Sequence, residues 1–194
     1  MDRLIAAIVA LAGFTITAQW LEYMMPLTQI GQDSVTMKIT TSVGFALVGL
    51  MLLVGRRRKA TQVALALTLF GLVCTAVLFA ILEVSMGLDK SDFMTPIKGV
   101  PSLGTMISFA LLGCYGLFEY RKKLRWVPVV IGVGVCSVAL VAVIGYVIGR
   151  PSLYYYIPQH STAMAIHTAV LFFLSGFTCL LQVYQRKLSG DGRR

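Results

Sequence analysis

Charged residues in this 194-residue chain fall as punctuation between long apolar runs. Six stretches contain no Asp, Glu, Lys or Arg: residues 4–21, 39–55, 60–82, 99–118, 126–149 and 151–184. A hydrocarbon core of ~30 Å takes roughly 17–25 helical residues to cross. Each stretch is therefore read as a transmembrane helix, the last spanning from about Ala163. The first is expected to be a retained span and not a cleaved leader, because Ile16 ahead of Ala18 is a poor cleavage context. The expected fold is an all-α integral membrane domain of six helices covering residues 1–194.

A second pattern is laid over the first. Thr-x3-Phe-x3-Gly occurs three times, as Thr41, Phe45, Gly49, then Thr105, Phe109, Gly113, then Thr168, Phe172, Gly176. Each copy sits in an even-numbered apolar run that ends at a basic cluster: residues 56–59, 121–123 and 186–187. The chain thus reads as one two-helix hairpin used three times, with repeats at 1–59, 60–123 and 124–194. A unit that crosses twice keeps its orientation, so the repeats are parallel and related by an axis along the membrane normal. Positions i, i+4 and i+8 form one stripe on a helix. Small residues let neighbouring backbones approach where lipid gives helices no hydrophobic reason to associate. The stripe is expected to be the packing seam between hairpins, with Gly145-x3-Gly149, Gly132 and Gly134 marking another close contact on the fifth helix.

Composition agrees with lipid as the solvent. Hydrophobic residues make up 57% of the chain and charged residues 13%, with a mean hydropathy of +0.81. A soluble domain of this size has too much surface for so few charges. The net charge of +9 suggests nucleic acid until its distribution is considered. With the basic clusters in the cytoplasm, 13 of the 17 Lys and Arg lie on that side, leaving Lys38, Lys90, Lys98 and Arg150 outside. That positive-inside bias puts both termini in the cytoplasm, most simply of a bacterial inner membrane. The basic surface then faces anionic lipid, with no nucleic-acid partner required.

Resemblance adds one idea. The phrase Met164-Ala165-Ile166-His167-Thr168-Ala169-x2-Phe172-x3-Gly176, running into Leu180-Leu181, resembles segments of multi-helix membrane sensory regions. Those input regions precede bacterial histidine kinases and diguanylate cyclases. The resemblance implies signal input by paired helices and a signalling partner. The departure from the pattern is that only ten residues follow Tyr184, so the chain is read either as an excised input region or as a freestanding membrane protein of similar design.

Residues with chemistry are few. His167 lies inside the sixth run and His160 before it, in a helix expected to begin near Ser161. A bis-His haem takes its ligands from facing helices and the chain has no third histidine, so no cofactor or metal is expected. The ordinary role for His167 is a bond to a backbone carbonyl or a Thr hydroxyl, although an intramembrane ionisable group is a candidate functional position. Glu22 and Glu83 end the first and third runs, and Arg150, Tyr155 and His160 crowd the last outer loop. Aromatic and charged groups there are those of an interfacial belt; if they converge, Glu22, Glu83, Arg150, Tyr155, His160 and His167 line an outward-facing ligand site. Glu119 is expected to pair with Arg121 or Lys123. Cys74, Cys114, Cys136 and Cys179 show no metal spacing and are read as small apolar residues.

Hydrolase, zinc-protease and phosphate-loop signatures are absent from the sequence, so a non-catalytic role is expected. The leading expectation is a membrane sensor or signal-input module, homo-oligomeric or paired with a signalling protein, that binds a small or lipid-soluble ligand near the outer face. One alternative is a small-molecule binding or transport subunit resembling the six-helix substrate-binding components of energy-coupling-factor transporters, with Ala6-x3-Ala10 as its partner-docking face. The other is a structural subunit of a larger membrane complex.

Overall fold

The computed structural model describes residues 1–21, 37–55, 58–85, 101–119, 121, 124, 126–153 and 164–191. The regular elements among them are six α-helices, α1 Asp2–Leu21, α2 Ile39–Val54, α3 Lys59–Ser85, α4 Leu103–Phe118, α5 Val127–Val147 and α6 Ile166–Asp191, and a short 3-10 turn at Pro151–Leu153. Four of them, α1, α3, α5 and α6, are long and apolar enough to cross a membrane. The other two, α2 and α4, have 16 residues each, about 24 Å of helix.

Local chemistry sets the boundaries. Ser102 caps α4, its hydroxyl accepting from the Thr105 amide at 3.3 Å and sharing a 2.8 Å hydrogen bond with the Thr105 hydroxyl. Pro128 occupies the first turn of α5, where a missing amide hydrogen does no harm. The helix ends in a Schellman motif: the Gly149 amide donates to Tyr146 O and the Arg150 amide to Gly145 O. That closure needs a left-handed residue, and Gly149 has φ +64° with nothing near its absent Cβ. Gly149 is therefore a turn residue and not the close packing contact expected of it. The sixth helix also starts later than expected. Its first bond runs from Ala169 N to Ala165 O at 3.0 Å, and Tyr146 Oη donates to Met164 O at 2.7 Å, holding the strand that leads in.

The six helices divide into an outer and an inner set. Large apolar side chains stand exposed on α1 (Leu4, Leu11), α3 (Leu67, Ile81) and α5 (Val130, Ile144). By contrast α2 and α4 bury half or more of their residues. Sequence neighbours pack most extensively, α1 on α2, α3 on α4 and α5 on α6; α1 also meets α6, and α2, α4 and α6 touch one another. In the middle the rings of Phe45, Phe109 and Phe172 meet, all three buried, with centroids 5.1, 4.6 and 4.8 Å apart. Such tilted and edge-on contacts are the favoured aromatic geometry.

The motif glycines do a different job from the motif phenylalanines. Gly49 lies against the backbone of Ala10, and Gly13 against that of Ala46, so α1 and α2 touch backbone to backbone. A Cβ on Gly176 lies 2.9 Å from Gly132 O, joining α5 and α6 in the same way. Gly113 faces the Phe70 ring at 2.8 Å. Each motif glycine therefore packs on the helix before it in sequence, whereas the motif phenylalanines join one pair of helices to another. The expected single seam is split in two. The reason is angular: residues four apart on a 3.6-residue helix drift by about 40°, so Phe and Gly face different neighbours.

Candidate functional site

The C-terminal ends of α2, α4 and α6 gather a polar network that is almost wholly buried. Glu119, the C-cap of α4, pairs through Oε1 with Arg186 of α6 and accepts through Oε2 from Gln62 of α3. Arg186 Nη1 also donates to the Glu119 carbonyl at 3.2 Å. One turn nearer the centre, Tyr115 Oη donates to Gln182 Oε1 at 2.8 Å, and Gln182 Nε2 donates to Leu52 O at 3.0 Å. Gln62 and Tyr115 are 0% exposed and the Glu119 side chain 2%. A carboxylate taken this far out of water needs a cation and hydrogen bonds to repay its desolvation, and Glu119 has both. The network ties four helices, and Gln185 Nε2 adds α1 by donating to Asp2 Oδ1 at 3.2 Å.

Glu119 was expected to pair with a neighbour in its own basic cluster. Instead the chain turns away after Phe118, and α6 brings in the cation from 67 residues on. Gln62, Tyr115 and Gln182 were not foreseen at all. Their signal was available: Tyr115-x3-Glu119 and Gln182-x3-Arg186 are two polar pairs, one turn apart, near the ends of otherwise apolar helices. The same end carries a cleft of about 220 Å³, walled by Leu52, Leu53, Val54 and Gly55, with Glu119, Gln182 and Arg186 behind and Asp2, Arg3 and Gln185 in front.

Beyond the phenylalanine layer, toward the start of α6, the polar groups are in the opposite condition. Ser108 Oγ, Gln19 Oε1 and both ring nitrogens of His167 are buried and make no hydrogen bond among the described residues. Ser108, fully buried, directly precedes Phe109; His167 is the second residue of α6 and lies five residues before Phe172. The carbonyl or hydroxyl partner expected for His167 is not found among the described residues; the helix begins at Ile166 and leaves the ring in its first turn. Buried polar atoms are nearly always satisfied in native proteins, so the partners of these three residues lie beyond the described residues.

The remaining candidate residues divide by what is described. Arg150 is exposed, in the turn after α5. Glu83 lies in the last turn of α3; its side chain, like Glu22, Tyr155 and His160, is outside the described residues. Their convergence into an outer mouth is therefore not addressed. Ala6 and Ala10 are buried inside the chain, with Ala10 against Gly49, and so are not offered to a docking partner. No family model, curated protein or solved structure matches this chain.

Proposed function

We propose that this chain is a non-catalytic membrane sensor or signal-input module. Its six helices form three parallel hairpins, all crossing a bacterial cytoplasmic membrane, with both termini inside. A small or lipid-soluble ligand binds between the helices in the outer half, and the response is delivered at the cytoplasmic end.

The observation that carries this reading is the asymmetry along α6. His167 at one end has two buried nitrogens without partners, whereas Gln182 and Arg186 at the other hold α2 and α4. Some 19 residues of continuous helix separate His167 from Arg186, about 28 Å at 1.5 Å per residue. A ligand that satisfies His167 and Ser108 shifts the start of α6, and a rigid helix passes that shift to the Glu119 pair. The phenylalanine layer supports a sensor over a conduit, since rings in mutual contact close the middle of the bundle. The resemblance of residues 164–176 to sensory input segments points the same way. Orientation follows from the 13 basic residues on one side.

Native mass spectrometry of the gently solubilised full chain tests the proposal. A copurifying small molecule is expected, and it should be lost in His167→Phe and Ser108→Ala while the Glu119–Arg186 end stays folded. A ligand retained by both variants places the site elsewhere. Reporter fusions at the C-terminus and within residues 89–92 test orientation; an external C-terminus overturns it.

A further inference from the structure

The cleft at the basic end is independent of the outer-half site, and its chemistry is specific. Its back wall is already neutral: the Glu119 carboxylate and the Arg186 guanidinium are paired with each other. What faces outward is one acid beside one base, Asp2 and Arg3, with the Gln185 amide between α6 and Asp2. Arg3 is exposed, at the foot of α1. Asp2 keeps 17% of its side chain open and already has a primary ammonium, that of Met1, 3.7 Å from Oδ1. Met1 itself is exposed, and at 3.7 Å its ammonium is loosely held. The rest of the wall, Leu52 to Val54, is apolar and belongs to the last turn of α2.

A partner for this cleft must therefore bring an anion and a hydrogen-bonding ammonium a few bonds apart, on an apolar body. We propose that it binds the headgroup of a zwitterionic aminophospholipid, the phosphodiester against Arg3 and the primary ammonium against Asp2. The ends of α1, α2, α4 and α6 meet here, which in the six-span orientation is the level of the cytoplasmic headgroups. Basic pockets between helices at that level are established lipid sites in general. The departure here is the matched carboxylate, which repels a purely anionic headgroup and selects one that carries its own cation. Charge-assisted bonds of this kind are the strong ones. A headgroup held on Asp2 and Arg3 sits beside the Gln185–Asp2 bond that joins α6 to α1, next to the network that holds α6 in place.

The full chain, exchanged into equal mixtures of ethanolamine, glycerol and choline phospholipids, is released from detergent and its lipid adducts are weighed. The ethanolamine lipid should be retained about tenfold over the choline lipid, which has no N–H to donate, and over the glycerol lipid. Combined Asp2→Asn and Arg3→Gln should bring the three to parity, whereas Lys59→Gln, exposed at the start of α3, should leave the preference unchanged. Gln185→Leu provides a second variant if the first pair unfolds, and melting temperatures identify folded samples. Equal retention of all three lipids by the native chain, or a preference untouched in folded variants, overturns the proposal. Soluble phosphoethanolamine protecting as well as the lipid overturns the lipid assignment in favour of a free metabolite.

Discussion

The two sides of the phenylalanine layer make opposite use of buried polar groups. Toward the basic end, Gln62, Tyr115, Glu119, Gln182 and Arg186 are bonded among themselves and to Leu52 O, and so tie four helices. Toward the other end, Gln19, Ser108 and His167 carry buried polar atoms with no partner among the described residues. Both sides lie in equally apolar helices, so the difference is not one of solvent. A saturated network fixes geometry, because every member is held by another. An unsaturated one leaves hydrogen-bonding capacity that no group among the described residues meets. The contrast separates a half whose buried polar groups hold one another from a half whose buried polar groups have no partner among the described residues.

The sharpest way to break that comparison is to remove one member of the saturated side. Glu119→Ala leaves the Arg186 guanidinium without its carboxylate, and loss of one partner from a buried pair costs about 3–5 kcal/mol. Unfolding monitored in mixed micelles should show it. Adding Arg186→Met should recover much of the loss, since replacing both partners by apolar groups is far milder. If Glu119→Ala melts like the native chain, the network is not what holds α6.

Packing supplies the next effect. Gly49→Leu drives a side chain into the Ala10 backbone, and Gly176→Leu into Gly132 and Cys136; overpacking costs about 1–3 kcal/mol. Gly113→Leu should fall at the low end of that range, because the Phe70 ring in its way can rotate aside. Gly71 has nothing within 4 Å, so Gly71→Leu should not destabilise. Three motif variants as benign as Gly71→Leu would show that the glycines face lipid.

The aromatic layer should be more forgiving. Phe172→Leu conserves most of the apolar volume and should cost under about 1.5 kcal/mol. The smallest effect is expected at the unsatisfied side. Ser108→Ala removes a hydroxyl that bonds nothing in the described chain, and such a change is nearly neutral in the ligand-free protein. Gln62→Leu on the saturated side, equally buried, should be clearly destabilising. Thermal melts of these two variants, compared without and with any copurifying ligand, sharpen the comparison directly. A large loss from Ser108→Ala in ligand-free protein means that the hydroxyl is structural.

The apolar runs settled a good deal. Where charge is absent for 16 or more residues, a helix follows, because only a helix satisfies every backbone group inside lipid. The boundaries of α1 to α5 fall within about four residues of the uncharged runs for that reason. The recurrence of Thr-x3-Phe-x3-Gly likewise singled out Phe45, Phe109 and Phe172, which share the centre of the bundle. The start of α6 was less legible, since residues 151–184 are uncharged throughout and offer no stop signal before Ile166.

What the tertiary structure alone decided is which groups meet. The motif places Phe109 and Phe172 at a spacing of 63 residues, and extending that register sets Tyr115 beside Thr178 and Glu119 beside Gln182. The contacts instead pair Tyr115 with Gln182 and Glu119 with Arg186, one turn further on, at a spacing of 67. Repetition in sequence fixes which face a residue occupies, but not the relative slide of two helices or the reach of long side chains. Those are set by backbone approach at Gly49 and Gly176, by the rings between the helix pairs, and by the need to neutralise a buried carboxylate. Sequence names the helices and their apolar faces because lipid acts on each residue separately; partners across the bundle depend on all six helices at once.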